Sequence, residues 1–477
     1  MERGCIAGFF KIFKAIFPGR LWLCFFALCF LSGCATAFPD VPSIMKEISA
    51  SPKTPEIEGR QGNLPPQKTG RILTKLENKA GPTDLLQEHT VLMESLSGQK
   101  LTIGNRAILL VNGPEAFKAM LKAISEARDH INFETFIFDD DEVGHQFADL
   151  LLQKQAEGVQ VNLLYDSIGC KNTPRGFFNR LRSGGINVLE FNPINPLKAN
   201  REDFITHRDH RKVLVVDGKT AFTGGVNISS VYYSSSFLPE RTKQEKNVFG
   251  WRDTHVMIEG PVVAQFQKLF LDTWQAQNGP PLEAREYYPV LTPMGRDLIM
   301  VIGSTPGDEQ RLTYIMYVAA IIQAQRSVHL TNAYFVPDRQ TMRAFTDAAG
   351  RGVDVEMILP GLSDSNLTLS AGRSHYEDLL EAKVKIYERR DRILHSKTAV
   401  IDGVWSTIGS TNFDSWSFLR NNEINAVIIG VDFANQMEGL FEKDIEESKR
   451  ISKEEWSRRP LWGRMKEWLG RLFSYWL

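Results

Sequence analysis

The chain has very little cysteine beyond its first residues. Four of its five cysteines, Cys5, Cys24, Cys29 and Cys34, lie near the amino terminus, so the rest of the 477-residue chain contains only Cys170. One thiol excludes an intramolecular disulfide there. At this position a packed small residue is favoured over a nucleophile.

The chain also lacks an excess of charge of either sign. Its 56 Lys and Arg against 57 Asp and Glu give a formal net charge of −1. Residues 1–33 hold four basic residues and one acidic residue, so the remainder has 52 basic and 56 acidic residues, a net of −4. With no run of Lys or Arg either, we expect no nucleic acid partner. No His, Cys or Asp cluster has metal-ligand spacing, so we expect no metal and no other cofactor.

The third absence is a hydrophobic run long enough to cross a bilayer. Residues 21–33 are almost wholly apolar and follow positive charges that end at Arg20. This stretch is too short to span a membrane comfortably but has the length of a signal-peptide core. It ends in L-S-G-C at residues 31–34, which resembles the lipobox of bacterial lipoproteins. We therefore predict a lipoprotein signal peptide over residues 1–33 and lipidation of Cys34. The alternative is an uncleaved signal anchor.

Two segments flank the body of the chain. Residues 34–85 are rich in proline and show no helical or strand period, so we predict a Pro-rich tether there. Residues 456–477 are predicted to form an amphipathic helix at a membrane interface, with basic residues mostly off the apolar face. The alternative is a helix packed on the body. Its apolar face comprises Leu461, Trp462, Met465, Trp468, Leu469, Leu472, Phe473, Trp476 and Leu477.

Between these segments, two halves follow the same order of predicted elements. The first half has helix 116–127, strand 131–138, helix 143–157 ended by Gly158, and strand 159–165; the second has helix 314–324, strand 327–335, helix 340–349 ended by Gly352, and strand 353–360. This order predicts an α/β fold of two pseudo-symmetric domains, residues 86–285 and 286–455. Each is expected to be a mixed, largely parallel sheet flanked by helices, with the active site at the interface between them.

The most specific feature is a motif that occurs twice with the same spacing. Both H-R-K-V-L-V-V-D (residues 210–217) and H-S-K-T-A-V-I-D (residues 395–402) read His-x-Lys-x4-Asp. After 14, 15 and 17 residues each histidine is followed by Gly, a small residue and Asn: Gly224, Gly225 and Asn227 in the first copy, and Gly409, Ser410 and Asn412 in the second. Two matching copies indicate one active site built from two half-sites, and phosphoester chemistry.

Two histidines can divide the chemistry of a phosphodiester between them. One neutral imidazole attacks phosphorus while the other, protonated, acts as the acid for the leaving alkoxide. The candidates are His210 and His395. Lysine and asparagine can hold the phosphate oxygens, a role assigned to Lys212, Lys397, Asn227 and Asn412. In His-x-Lys on a strand both side chains lie on one face.

A histidine nucleophile also needs a partner that sets its tautomer. Asp253 and Glu423 are the candidates, and the alternative for either is a surface ion pair. Asp217 and Asp402 complete the motifs and are included as candidate catalytic residues. They follow their strands directly, so a structural contact with loop backbone or a lysine is the alternative. Tyr334 follows a strand. A position that lines the active-site pocket and a position outside it are both open for this residue.

The chain resembles the phospholipase D superfamily, and within it the bacterial cardiolipin synthases. The two motifs carry the superfamily resemblance over residues 90–450. The closer resemblance rests on H-R-K-V-L-V-V-D-G-K-T-A-F-T-G-G-V-N-I, W-R-D-T-H-V-M-I-E-G-P-V-V, T-N-A-Y-F-V-P-D and H-S-K-T-A-V-I-D-G-V-W-S-T-I-G-S-T-N-F-D. It implies phosphatidyl transfer through a phosphohistidine, with His210 as nucleophile and His395 as acid and base. The pseudo-symmetry leaves that order open.

The resemblance implies phospholipid substrates, namely phosphatidylglycerol with phosphatidylethanolamine as a second candidate, and a membrane surface as partner. A phospholipase D hydrolase that releases phosphatidic acid is the nearest alternative; a nuclease of the superfamily and a non-catalytic lipid-binding protein are less favoured. Many cardiolipin synthases begin with two transmembrane helices, so the lipobox leader is a departure. It predicts a lipid-anchored body on the extracytoplasmic, periplasmic side. Ala35 follows Cys34 in place of the Asp that commonly retains lipoproteins at the inner membrane, and the choice of membrane stays open.

Overall fold

The structure is a computed structural model that describes residues 38–50, 53–60, 62–193, 206–233, 250–308, 310–472 and 474. The predicted signal peptide and Cys34 lie outside the described residues, as do Phe473, Trp476 and Leu477. The chain separates into two compact units, Met1–Pro39 and Asp40–Leu477. All the elements named below belong to the second unit.

The strands of this unit are β1 (Ile57–Gly59), β2 (Gly62–Asn63), β3 (Leu101–Val111), β4 (His130–Thr135), β5 (Gln160–Asp166), β6 (Asn187–Phe191), β7 (Arg208–Asp209), β8 (Val213–Val216), β9 (Thr220–Gly224), β10 (Thr254–Glu259), β11 (Asp297–Ser304), β12 (Ser327–Asn332), β13 (Asp354–Pro360), β14 (Lys385–Arg389), β15 (Lys397–Ile401), β16 (Trp405–Gly409), β17 (Asn421–Ile429) and β18 (Ser448–Ile451). The α-helices are α1 (Val41–Ser49), α2 (Pro66–Ala80), α3 (Glu88–Ser97), α4 (Asn112–Glu126), α5 (Glu142–Ala156), α6 (Arg175–Ser183), α7 (Val263–Ala276), α8 (Leu312–Gln323), α9 (Arg339–Gly350), α10 (Asn366–Arg373), α11 (Tyr376–Glu381), α12 (Ser415–Leu419), α13 (Val431–Glu446), α14 (Lys453–Ser457) and α15 (Leu461–Leu472).

The strand order repeats between the two halves. The first sheet runs β6-β5-β4-β8-β9-β10-β3, and the second runs β14-β13-β12-β15-β16-β17-β11. The predicted pseudo-symmetric α/β fold with mixed sheets is confirmed. The parallel part of each seven-stranded order is smaller than the element order indicated, since within these two orders the parallel pairs are those of β6-β5-β4 and β14-β13-β12.

The antiparallel part follows from the turns after the motif strands. Asp217 and Gly218 join β8 to β9 with φ values of 52° and 60°, and Asp402 and Gly403 join β15 to β16 with 52° and 58°. Two successive residues with positive φ suit a tight hairpin turn, for which Asp-Gly is a preferred pair. Because a short turn can join only antiparallel neighbours, each motif strand returns as a hairpin.

The two sheets are joined through antiparallel pairing of their edge strands β3 and β11, and they also pack against each other over a shared apolar core. Val213, Val215 and Val256 from the first sheet lie in the same buried cluster as Ile408 and Ile424 from the second. Alternate residues of a strand point to one face, so these strands direct one face to the partner sheet. The two halves therefore form a single packed body, and groups from both are held together where strand ends meet.

The predicted tether is wrong over its described part. α1 and α2 are helices, β1 pairs in parallel with β3, and the Thr83 hydroxyl donates to Asp402 Oδ2 at 2.8 Å. Pro42 and Pro66 lie in the first turns of α1 and α2. Proline is tolerated there because the amide hydrogen that it lacks would have no partner within the helix. The proline content therefore did not exclude helices. Within the described ranges, no helix combines the length and apolar character that crossing a bilayer requires.

Candidate active site

The two motif histidines lie where the halves cross. His210 follows β7, which pairs in parallel with the start of β17, and the His210 amide donates to the Asn422 carbonyl at 3.0 Å. His395 precedes β15, and its amide donates to the Arg252 carbonyl, just before β10, at 2.8 Å. Each histidine backbone is thus hydrogen-bonded to the opposite half, and the two half-sites meet at one place.

Each histidine also contacts a carboxylate from the opposite half. His210 Nδ1 lies 3.0 Å and 3.2 Å from the two Glu423 oxygens. His395 Nδ1 lies 2.8 Å from Asp253 Oδ2. A carboxylate on Nδ1 fixes the tautomer and leaves Nε2 as the nitrogen available for chemistry. The two predicted orienting residues therefore lie against the motif histidines, in a crossed arrangement.

Burial favours the neutral form of both imidazoles. His210 is 7% exposed and His395 is 5% exposed. Burial lowers the pKa of His210 to about 4 against the opposing effect of Glu423, and burial together with the Lys397 charge lowers the pKa of His395. Burial alone would raise the pKa of Asp253 and the pKa of Glu423. The charge of the paired histidine and its hydrogen bond to the carboxylate outweigh burial, so both pKa values are lowered. Within each pair the carboxylate opposes the effect of burial on its histidine.

The motif lysines are buried beside the histidines. Lys212 Nζ donates to the carbonyl of His210 at 2.5 Å and lies 5.2 Å from the centre of the Phe136 ring. Lys397 Nζ donates in the same way to the His395 carbonyl. Burial lowers the pKa of Lys212 to about 7 and that of Lys397 to about 8. A phosphate anion bound between them would favour their charged forms.

The pH dependence of kcat/KM follows from these lysines. As pH rises through about 7 to 8, Lys212 and Lys397 lose the charge that attracts phosphate, so we expect kcat/KM to fall over that range. Arginine stays charged there, so Lys212→Arg should move the alkaline limb to higher pH even if its peak activity is lower. Lys219→Arg, at an exposed position of the β8–β9 turn, is the matched control. Identical profiles for all three proteins would contradict this account.

The motif asparagines are buried beside the histidines, in different surroundings. Asn227 accepts from the Ile137 amide at 3.2 Å and donates to the Tyr232 hydroxyl at 2.8 Å, which lies 3.3 Å from His395 Nδ1. Asn412 Oδ1 has no hydrogen-bond partner among the described residues. The two asparagines thus differ in that the side-chain oxygen of Asn227 has a hydrogen-bond donor and that of Asn412 has none among the described residues.

The half-sites differ at the small residue of each motif. The Ser410 hydroxyl donates to Glu423. At the equivalent position a Cβ on Gly225 would overlap the Asp253 carboxylate, so only glycine fits there. His210 is therefore supported by a Glu–Ser pair, and His395 by Asp253 with Tyr232 beside it.

Two buried arginines hold the crossing segments in place. Arg211, which is 2% exposed, donates to the Glu423 carbonyl at 3.1 Å and to the Ser304 carbonyl at 3.0 Å. Arg252 forms two hydrogen bonds with Asp444, at 2.9 Å and 2.7 Å. The motif analysis missed Arg211, Arg252 and Tyr232. Of these three residues, only Arg211 could have been found from the sequence, because it is a charged residue between the motif residues His210 and Lys212.

Asp217 and Asp402 lie at the far ends of the motif strands. Asp217 accepts hydrogen bonds from the backbone amides of residues 128–130, and Asp402 accepts from those of residues 325–327. Asp217 stands five residue steps along the strand from Lys212, roughly 16 Å. The structural alternative is therefore favoured for both aspartates, because their carboxylates accept hydrogen bonds from loop backbone.

Asp217→Ala is accordingly expected to affect stability and not catalysis. Losing the acceptor for three backbone amides should lower the free energy of unfolding by about 2 kcal/mol, while kcat of the folded enzyme changes less than about threefold. Urea unfolding and activity at a temperature well below the transition measure the two effects. Asp402→Ala is the matched variant of the second half. A hundredfold loss of kcat in folded Asp217→Ala protein would show that Asp217 has a catalytic role.

Tyr334 lies at the edge of the histidine pair. Its ring centre is 6.4 Å from that of His395, and its hydroxyl donates to Asp364 at 2.6 Å. The open alternative of a pocket-lining role is therefore favoured for Tyr334.

The described residues contain one cluster with possible metal ligands, away from the motif histidines. His329, Asp354 and Glu356 have ligand atoms within 4.8 Å of one another. Lys385 Nζ lies 2.8 Å from Asp354 and 2.7 Å from Glu356, so a lysine already supplies positive charge there. Strand pairing brings these residues together, which their spacing in sequence did not indicate. The cluster lies toward the starts of β12 and β13, whereas Asn332, at the end of β12, pairs with Lys397.

Comparisons with known proteins agree with this geometry. A family profile described as "Cardiolipin synthase, PLD-like domain" matches residues 120–274 and 317–445. The cardiolipin synthase of Geobacillus thermodenitrificans (strain NG80-2) is 33% identical over 378 residues, which cover 78% of this chain and 73% of that protein. The major cardiolipin synthase ClsA of Bacillus subtilis (strain 168) is 33% identical over 376 residues, or 78% and 76% of the two chains. Among solved structures, phosphatidylserine synthase from Haemophilus influenzae Rd KW20 is similar in fold, with a TM-score of 0.55 at 14% identity over 77% of this chain and 92% of that one.

Proposed function

This chain belongs to the family of phospholipase D-like cardiolipin synthases, and on that premise we propose a substrate and a mechanism for it. It is a phospholipase D-type phosphatidyltransferase. Phosphatidylglycerol or phosphatidylethanolamine donates the phosphatidyl group through a covalent phosphohistidine, with glycerol or ethanolamine as the respective co-product. A hydroxyl of a phosphatidylglycerol headgroup accepts it.

In the first step His210 Nε2 attacks phosphorus and a P–N bond forms. The P–O bond to the leaving glycerol or ethanolamine breaks, and His395, which has taken a proton from solvent onto Nε2 before the step, gives that proton to the leaving oxygen. In the second step neutral His395 takes a proton from the acceptor hydroxyl, whose oxygen attacks phosphorus and displaces His210. Lys212, Lys397, Asn227 and Asn412 hold the phosphate oxygens throughout.

The crossed histidine–carboxylate pairs are the observation that carries this proposal. Glu423 on His210 Nδ1 stabilises the charge that the nucleophile gains in the phosphohistidine. Asp253 on His395 Nδ1 stabilises the imidazolium that must donate a proton. Neither histidine has the surroundings of a structural residue, because each is buried, paired and beside a buried lysine.

A hydrolase is the second candidate, since water can take the same phosphohistidine and release phosphatidic acid. A nuclease is less favoured, because the chain without residues 1–33 is acidic by four charges. We further propose that Cys34 is lipidated and anchors the body on the periplasmic side. Incorporation of a labelled fatty acid into wild type but not into Cys34→Ala tests the anchor, and membrane fractionation then separates inner from outer membrane.

The test of function is a lipid-product assay with the full chain in detergent. Wild type and His395→Ala receive phosphatidylglycerol with and without phosphatidylethanolamine, and products are read by mass spectrometry. Cardiolipin made by wild type and not by His395→Ala supports transfer, and the co-product identifies the donor lipid. Phosphatidic acid without cardiolipin moves the function to hydrolysis, and no lipid product removes phospholipids as the substrate.

A further inference from the structure

Most large hydrophobic side chains that are exposed in the described residues lie in two neighbouring segments. In α15, Leu461, Trp462 and Trp468 are 80%, 62% and 60% exposed. In the loop after β13 and the start of α10, Leu362 and Leu367 are 47% and 43% exposed. We call the whole set the rim surface: Leu362, Leu367, Leu461, Trp462, Met465, Trp468, Leu469 and Leu472.

The two segments are joined by tight packing of α15 on α10. Gly470 lies so close to Ala371 that a Cβ would come within 2.6 Å of the Ala371 amide nitrogen. Leu367 stands four residues before Ala371 and thus on the same face of α10, next to α15. The rim surface is therefore held on a rigid helix pair.

α15 rests on the body through its polar side. Glu467 is 7% exposed and accepts a hydrogen bond from Arg459 at 2.9 Å, on the same side as Gly470. At 3.6 residues per turn the six apolar residues of α15 span an arc of about 120° that points directly away from that side. α15 therefore packs on the body, which was the alternative given in the sequence analysis. Its apolar face is nevertheless not covered by the described residues.

The rim surface adjoins the catalytic histidines. Asp364 stands between Leu362 and Leu367 and accepts the hydrogen bond from Tyr334, whose ring lies 6.4 Å from that of His395. A surface that binds at Leu362 and Leu367 would therefore lie beside the site. Basic residues flank the apolar face, since Arg464 and Arg471 lie along one side and Lys466 lies over Trp462 at 5.8 Å.

We propose that the rim surface docks on an anionic phospholipid bilayer and so presents the histidine pair to lipid headgroups. Exposed tryptophan and leucine with flanking Arg and Lys match the apolar–polar boundary and negative charge of such a bilayer. The expected effect on activity rests on the proposed function. Docking should limit the activity on lipids in a bilayer and should not limit the activity on dissolved lipids.

The test uses the full chain with two readouts. Vesicles of phosphatidylglycerol with brominated acyl chains quench tryptophans that enter the bilayer, and the difference between wild type and W462F/W468F isolates the emission of Trp462 and Trp468. Activity is measured on long-chain phosphatidylglycerol vesicles and on dissolved dihexanoyl phosphatidylglycerol. The control is Tyr288→Ala with Val290→Ser, which are 54% and 78% exposed beside the Gly218 turn, at the opposite end of the motif strand.

Quenching of the Trp462 and Trp468 emission is expected. W462A/W468A should lose at least about tenfold in vesicle activity and less than about twofold on the dissolved lipid, because two deeply inserted side chains contribute more than a tenfold change in partitioning. W462F/W468F and the control should keep both activities. Unquenched emission, equal losses on both substrates, or a dimer that W462A/W468A dissociates would overturn the proposal. Quenching in a wild type that makes no lipid product would leave docking intact and reject the proposed function.

Discussion

Replacing His210 or His395 with alanine is expected to reduce phosphatidyl transfer by at least about 10⁴-fold, because each step of the reaction needs both imidazoles. The effects should not add: the double variant should be about as inactive as either single variant, since the two groups act as one unit. Mass spectrometry of products from phosphatidylglycerol measures the loss, and thermal unfolding shows that the protein still folds. Residual transfer above one hundredth of wild type in either variant would remove that histidine from the mechanism.

The same variants assign the two roles when the leaving group needs no proton. With a phosphatidyl p-nitrophenyl ester, His395→Ala should still form the covalent bond, releasing one nitrophenolate per enzyme and leaving an adduct on His210. His210→Ala should give neither burst nor adduct. An adduct on His395 in the His210→Ala protein would reverse the order of nucleophile and acid.

The second large effect is expected at the crossed carboxylates. Glu423→Gln and Asp253→Asn keep the shape of each side chain but remove the charge that orients Nδ1–H and stabilises the imidazolium. We expect each to lower kcat by about 10²- to 10³-fold with little change in KM, because the charge acts mainly as the histidine becomes positive. Glu442→Gln, at an exposed position on α13, is the matched control.

The crossing itself can be tested with the nitrophenyl ester. Glu423→Gln should slow the burst, because Glu423 serves the nucleophile His210 from the other half of the chain. Asp253→Asn should leave the burst near wild type and slow the turnover that follows it. If Asp253→Asn slowed the burst and Glu423→Gln did not, while the adduct forms on His210, each carboxylate would serve the histidine of its own half.

The motif residues show how far local sequence reaches. His-x-Lys on a strand places two side chains on one face, and Asp-Gly after it forms a tight turn, because both effects depend on neighbouring residues alone. The repeated order of helices and strands predicted two similar α/β halves for the same reason. Asn227 and Asn412 also lie in the two half-sites, as their equal spacing from the histidines indicated.

Other features depended on segments that lie far apart in sequence. Pro42 and Pro66 of the predicted tether lie at the starts of α1 and α2, and these helices pack on the body. That packing involves distant residues, so the local sequence did not indicate it. Arg211 and Arg252 bind groups of the other half, and their roles follow from burial that no local pattern expresses.

The sequence by itself determined that two matched half-sites exist, which residues form them and what chemistry they suit, because spacing along a strand controls which side chains share a face. Only the tertiary structure decided that His210 pairs with Glu423 and His395 with Asp253. Each of these contacts joins residues more than 140 positions apart, across two sheets whose packing brings the crossing segments together. Likewise, packing through Gly470 decided that the last helix lies against α10 with its apolar face exposed.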